Sequence, residues 1–279
     1  MQGKVVVMTG ATSGIGRLAA AELAALGARL VLVARDRGRA DETLARLRER
    51  GAGEPHRAHI ADLARLADMK RVAGEIAAAE PKIDVLINNA GNVFATRQLT
   101  EDGLERTFAT NHVAYFVLAN MLRERLIAAA PARIVNTASD AHRGQVLDFD
   151  DLQLTRGFRT YTAYGRSKLC NILFTRELAR RLAGTGVTVN CLHPGFVRTN
   201  LGQREGGLFA GVARIAMMFG GPPERGAKTI VYLAASPEVA SVSGGYFADG
   251  RPARPTLAAQ DDASAGRLWA ETSRLTGIG

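Results

Sequence analysis

The chain has 279 residues, 47% hydrophobic and 23% charged, an ordinary globular composition with length for one large domain or two small ones. Its formal charge is +9, but the basic residues are dispersed and aromatics make up only 6%, which excludes a basic stripe with interleaved aromatics for nucleic acid. No apolar run reaches the roughly 18 residues that cross a bilayer, no signal-peptide pattern opens the chain, and the two cysteines form neither a disulfide framework nor a metal cluster. The expectation is a soluble, cytoplasmic protein without metal, its charge serving an anionic cofactor or peripheral contact with an anionic membrane surface.

The first apolar run, Val5–Met8, leads into TGATSGIG, Thr9 to Gly16. Gly10, Gly14 and Gly16 lie with Thr12, Ser13 and Ile15 on the turn between that strand and a helical stretch, Arg17–Ala25. Glycine lets backbone approach a pyrophosphate, and a helix N-terminus presents free N–H groups to it. The second run, Leu30–Val33, follows at the spacing of a βαβ unit and ends at Arg35. A domain selecting NAD usually places Asp or Glu there, on the ribose 2′-OH. Arginine suits the 2′-phosphate of NADP in charge and fork geometry; Asp36 beside it works the other way, and a merely solvated Arg35 is the alternative. The mixed-sign segment Arg35–Arg50 reads as an exposed helix.

Further runs at Val85–Ile87, Ile134–Val135 and Val187–Leu192 alternate with helical stretches at Leu104–Ala128 and Ala163–Leu182. Continuous apolar runs mark strands buried on both faces. The alternation predicts a single-domain α/β Rossmann fold over residues 1–279, a doubly wound parallel sheet with helices on both faces. Tyr164 and Lys168, four apart in YGRSK, share a helix face. An ammonium beside a phenol favours the phenolate and fits the tyrosine for proton exchange with a substrate oxygen; by chance alone the same spacing also arises on solvated helices. Cys170 and Cys191 lie in apolar stretches as core residues. His112, His142 and His193 invite a hydrolase triad, but no G-x-S-x-G elbow accompanies them; they read as structural, with His142 near the substrate mouth.

Asn200–Arg225 breaks the rhythm: Leu208, Phe209, Val212, Met217, Met218 and Phe219 lie between Gly206-Gly207 and Gly220-Gly221. It is either a core helix or a lid over a lipophilic substrate, since methionine suits adaptable apolar surfaces. A last helix over Asp262–Leu275 starts acidic and stops before Gly277, with Trp269 as a packing anchor.

Taken in order over residues 4–200, these motifs resemble the short-chain dehydrogenase/reductase family: TGxxxGxG at Thr9–Gly16, Asn88-Asn89-Ala90-Gly91, TNH at Asn111, NTAS at Ser139, the Tyr164–Lys168 pair and HPGFVRT at His193–Thr199. The resemblance implies a catalytic tetrad of Asn111, Ser139, Tyr164 and Lys168. Tyr164 would exchange the proton, and Lys168 would tune it and bond the nicotinamide ribose. Ser139 would hold the substrate oxygen, and Asn111 a water relaying protons through Lys168. It further implies NADP(H) contacts from Asp62 and Leu63 at the adenine, from Asn89, Ala90 and Gly91, and from Pro194, Gly195, Val197 and Thr199 at the nicotinamide. Asn88 would brace the central strands.

A narrower resemblance is to the retinol dehydrogenase branch. It rests on the 25-residue Ser139–Tyr164 spacing, the DFDDLQ insert at Asp148–Gln153, Arg35-Asp36, the AYGRSKLCNILFTRELARRL helix and the RLW ending. It implies interconversion of a lipophilic aldehyde or ketone and its alcohol by hydride transfer with NADP(H), NAD being the lesser option, in a homodimer or homotetramer. Plant protochlorophyllide reductases share SKxCN, but their active-site cysteine set is not evident. A silent NADP-binding sensor or scaffold, an extended-branch sugar epimerase (whose TGxxGxxG is not matched) and a basic membrane-associated binding protein are the other readings.

Overall fold

The computed structural model describes residues 1–49, 55–195 and 221–279. Among the described residues eight strands form one sheet: β1 Val5–Thr9, β2 Arg29–Ala34, β3 Arg57–Ile60, β4 Val85–Asn88, β5 Ala132–Thr137, β6 Val187–His193, β7 Tyr246–Ala248 and β8 Arg251–Pro252. Their order is β3-β2-β1-β4-β5-β6-β7-β8, parallel throughout except for the last pair. The order reverses between β1 and β4. In such sheets the ligand crevice lies beyond the carboxyl ends of the strands at that reversal, where Thr9–Gly16 and Asn88–Gly91 lie.

The strand interiors are apolar on both sides because both faces are covered. On one face, α1 (Gly14–Ala25), α2 (Arg37–Arg48) and α8 (Pro223–Ala235) pack Ile15, Leu23, Leu47 and Ile230 against Met8, Leu30 and Leu32. On the other, α3 (Leu66–Ala79), α5 (Ala114–Met121) and α7 (Thr160–Arg181) pack Val72, Phe116, Leu173 and Phe174 against Val7, Val31, Leu86 and Ile134. Cys170 and Cys191 are buried there, as expected. β3 was missing from the apolar runs because Arg-Ala-His-Ile is half-buried and polar at a sheet edge.

One expected element is corrected, and another lies mostly outside the described residues. The stretch 104–128 is not one helix. It divides into α4 (Arg106–Phe108), a π turn (Ala109–Val113), α5 and α6 (Arg123–Ile127), with Leu122 leaving helical geometry. Of the segment 200–225, residues 200–220 lie outside the described residues, while Pro223–Arg225 form the first turn of α8 because proline suits the opening position of a helix.

The last helix, α9 (Asp262–Thr276), is capped at its start by the Asp261 carboxylate and stopped by Gly277 at φ +66. It covers α5 and α7 through Trp269, whose ring lies 4.8 Å from Phe116 and stacks 5.9 Å from Phe174, under the Arg181 guanidinium. Trp269→Ala should therefore cost about 3–5 kcal/mol, read as a lowered midpoint in thermal or urea unfolding. Among the described residues no helix is long and apolar enough to cross a membrane, and no group of side chains is placed to hold a metal ion.

Candidate active site

The glycine turn is built by close approach. A Cβ on Gly16 would meet Gly10 O at 2.1 Å, and one on Gly10, at φ +70, would meet Ala90 Cα at 2.8 Å. Asn89 fastens this turn from behind. Its Nδ2 donates to Thr9 O and Gly10 O at 3.3 and 3.2 Å, and its Oδ1 accepts from Thr137 Oγ1. Thr9 Oγ1 in turn accepts from the Asn89 and Ala90 N–H groups, each at 2.9 Å. The Asn89 side chain thus serves the turn itself. Ser13 stands at the N-cap of α1 without a side-chain hydrogen bond to the helix, so the hydroxyl does not block the amides of the first turn. The Ile15 side chain is buried in the core, leaving only its backbone for a ligand. A tight, Cβ-free cradle in front of unblocked helix amides fits a dinucleotide pyrophosphate.

Arg35 follows β2 and is exposed, and the Asp36 carboxylate caps α2 by accepting from Arg39 N at 2.8 Å. Asp62 is fixed at the other rim: its N–H donates to Asp68 Oδ2 at 2.9 Å and its Oδ1 accepts from Ala64 N. Leu63 beside it is buried. Pro194 and Gly195 (φ +82) follow β6, with Pro194 O against Gly226 of α8. Val197 and Thr199 lie outside the described residues.

Beyond the carboxyl end of β5 the tetrad positions converge. Lys168 is buried and its Nζ donates to Thr137 O at 3.0 Å. The same Nζ lies 5.5 Å from the centre of the Tyr164 ring and 5.9 Å from that of Tyr115. Gly91 leaves room for this: a Cβ there would be 3.4 Å from Nζ and 3.2 Å from Asn111 Oδ1. The Asn111 amide grips Asn92 at both ends, accepting from its N–H at 2.8 Å and donating to its carbonyl at 2.9 Å, and also donates to Ser167 Oγ. Asn111 thus ties the loop after β4 to α7, and its carbonyl accepts from Asn171 Nδ2 at 2.9 Å. Ser139 follows the end of β5 by two residues and caps a short 3-10 turn, Asp140–His142, through Ala141 N.

The electrostatics differ from the simple expectation that Lys168 depresses the Tyr164 phenol. Burial pushes Tyr164 up to about 12, against a hydrogen bond from Ser139 that lowers it. Burial also pulls the Lys168 ammonium down to about 7. Desolvation sets the direction of both shifts.

The sequence reading missed the layer beneath Ser139. His142 is fully buried rather than at the substrate mouth. Its Nδ1 lies 2.7 Å from Ser139 O, to which it donates, while Nε2 accepts from Thr256 N at 3.3 Å. Asp140 N donates to His193 Nδ1, and Tyr246 OH donates to Asp140 Oδ1 at 2.7 Å. The only signal was adjacency to Ser139. Burial lowers His56, His112, His142 and His193 alike. Their folded pKa values lie below the unfolded value, so the unfolded chain binds more protons as pH falls below about 6.5. Stability should therefore drop on acidification from about pH 7.5 to 5, measured as a falling melting temperature.

The insert is a rigid clip as well. Asp151 accepts from Thr155 N, Thr155 Oγ1 and Arg156 N, and these hydrogen bonds, opposing its desolvation, hold the carboxyl at about 2. Gln153 Oε1 accepts from Glu105 N, and its carbonyl accepts from Arg97 Nε. DFDDLQ is thereby fastened to the segment leading into α4.

The family model described as short chain dehydrogenase matches residues 4–206. The chain belongs to the short chain dehydrogenase family. Retinol dehydrogenase 14 of Mus musculus is 43% identical over 100% of this chain and 87% of its own length. A crystal structure of an uncharacterized protein from Mycobacterium Paratuberculosis superposes with a TM-score of 0.79 at 30% identity, covering 99% of this chain and 94% of that one. Pseudomonas aeruginosa RhlG in an NADP active-site complex superposes at 0.71 with 28% identity, over 89% of this chain and 95% of that one. This short chain dehydrogenase is thus a retinol dehydrogenase-like oxidoreductase with a single Rossmann domain, and its glycine cradle suits the nicotinamide cofactor of the family.

Proposed function

We propose that the protein interconverts a lipophilic aldehyde or ketone and its alcohol with NADP(H), using Asn111, Ser139, Tyr164 and Lys168. The observation that carries this reading is Lys168 Nζ, buried on Thr137 O and facing the Tyr164 ring, with Ser139 on the same phenol. The cofactor supplies or accepts the hydride when bound; Gly10, Gly14, Gly16, Thr12 and Ser13 would hold its pyrophosphate, Asp62 its adenine, and Gly91, Pro194 and Gly195 the nicotinamide end. Val197 and Thr199 complete that end in the same proposal. A retinoid is one lipophilic carbonyl of this class, in keeping with the name of the mouse relative.

Tyr164 gives its phenolic proton to the carbonyl oxygen in reduction and takes it back in oxidation. A phenol near 12 is an able acid only if its anion is stabilised as it forms. Lys168, poised near 7, supplies a cation at that moment, and Ser139 shares the oxygen with Tyr164. Asn111 keeps the Asn92 loop and α7 in register around them. We place the enzyme in the cytoplasm as a homodimer or homotetramer, to be checked by fractionation and sedimentation.

A panel of lipophilic aldehydes and ketones with NADPH, read at the nicotinamide absorbance, tests the activity; oxidation with no member of the panel overturns it. Arg35→Asp should raise the KM for NADPH at least tenfold while NAD(H) improves, because it removes the cation suited to a 2′-phosphate. An unchanged NADPH-to-NADH ratio removes Arg35 from that role.

A further inference from the structure

Asn171 stands three residues after Lys168 on α7 and is fully buried. Its Nδ2 donates to two carbonyls at once, Asn111 O in the π turn at 2.9 Å and Thr137 O at the end of β5 at 3.2 Å. Thr137 O is also the acceptor of Lys168 Nζ, at 3.0 Å. A carbonyl oxygen has two lone pairs, so these two donors fill it. We propose that Asn171 is the positioning residue of Lys168: it fixes the carbonyl that anchors the ammonium and, through Asn111, the loop opposite. The proposal rests on the reading of Lys168 as a catalytic residue.

Lysine is a poor locator of its own charge, having a flexible four-carbon stem and rotatable N–H groups. Here Nζ makes one protein hydrogen bond among the described residues, to Thr137 O. The place of that single acceptor decides where the other N–H groups point. A second donor on the same oxygen, from the same helix, removes the slack.

Asn171 is held in turn from two sides. Its carbonyl accepts from Thr175 Oγ1 at 2.7 Å, which accepts from Asn136 Nδ2 at 3.0 Å, while Asn136 Oδ1 accepts from Asn88 Nδ2 at 2.9 Å. This buried file of polar groups runs from β4 through β5 to α7, and it gives Asn88 the bracing place expected for it. On the other side, Asn171 Oδ1 and His112 Nδ1 are buried, and neither has a hydrogen-bond partner among the described residues. Burial pulls the His112 imidazole down to about 3, and the neighbouring Asn171 side chain acts against this. His112 Nε2 lies 3.1 Å from the Thr272 hydroxyl of α9, which donates to Leu268 O at 2.8 Å. The two carbonyls fix the orientation of the amide, with Nδ2 toward Asn111 O and Thr137 O. A buried amide carries a desolvation cost that a leucine of similar shape does not, and in return it sets the oxygen under Lys168.

The test compares Asn171→Leu with Asn171→Thr, and His112→Phe with His112→Asn. Two readouts are taken: steady-state kinetics with NADPH, and the pH titration of the Lys168 amine by NMR of the cofactor-free protein with ¹³C-methylated lysines. Asn171→Leu should lower kcat about tenfold or more, keep the NADPH Kd within about threefold, and move the Lys168 midpoint by about half a unit or more. Asn171→Thr, which keeps a donor, should recover part of both. His112→Phe should shift both in the same direction, and His112→Asn should restore them. A folded Asn171→Leu protein with wild-type kcat and wild-type Lys168 titration overturns the proposal. If that variant does not fold, the His112 pair decides by the same readouts. A wild type without turnover in which Asn171→Leu still moves the Lys168 midpoint defeats the catalytic reading and upholds the positioning one.

Discussion

Tyr164→Phe should leave a folded protein that binds NADPH and has lost about 10²–10⁴-fold of its turnover, the range removed when a positioned proton donor is deleted. The substitution takes away one oxygen. The ring stays between Ser139 and Lys168, so neither the packing of α7 nor the glycine turn on the far side of β1 is disturbed. The fall should appear in kcat and in kcat/KM for the carbonyl alike, the pattern of an interaction made in the transition state. NADPH affinity, measured separately by fluorescence, should stay within a few-fold. Retained reductase rates would show that another group moves the proton. Tyr161 is a poor substitute: it is exposed on the first turn of α7, and the position four residues on is Gly165, not lysine.

Gly16→Ala should cost about 1–3 kcal/mol of stability, as overpacking does, and weaken NADPH binding about tenfold or more. The reason is local: the new methyl would lie 2.1 Å from Gly10 O and 2.5 Å from Asn89 Nδ2. Neither neighbour can swing aside. Gly10 O is backbone in the turn, and Asn89 is fastened to Thr9, Gly10 and Thr137. The turn must move as a unit, and the amides facing the pyrophosphate move with it. Gly14→Ala is the control. A Cβ there meets open space, so only its φ of +52 is penalised. Thermal unfolding with and without NADPH separates the two effects; equal ligand-induced shifts in Gly16→Ala and wild type would contradict the steric account.

The parallel core was legible in the chain because strands buried on both faces read as unbroken apolar runs, and β1, β2, β4, β5 and β6 all do. β3 escaped because Arg57 and His59 sit at an exposed edge. β7 and β8 are too short for periodicity to register. The break at Ala109–Val113 is invisible to a hydrophobic pattern, since a π turn adds a residue to the helix without changing its composition. Asn111, Ser139, Tyr164 and Lys168 were readable from motif order, and the structure brings them to one place. Their energetics were not readable. Spacing shows that Lys168 lies beside Tyr164, but not that burial drives the two pKa values apart, to about 12 and about 7. Asn89 illustrates the same limit: the motif names the residue, while only geometry shows its amide turned inward to hold the glycine turn. His142 was misplaced because adjacency to Ser139 in sequence says nothing of depth, and the ring lies beneath the serine.

The central claim is that Tyr164 completes a hydride transfer between a nicotinamide cofactor and a lipophilic carbonyl. The most direct measurement is mass spectrometry of the product formed from NADPH deuterated at nicotinamide C4, in wild type and in Tyr164→Phe. The account predicts an alcohol carrying deuterium on its carbinol carbon from the wild type, and essentially none from the variant at equal cofactor occupancy. Labelled alcohol formed equally by both proteins would contradict it, as would no alcohol from a wild type saturated with cofactor and carbonyl.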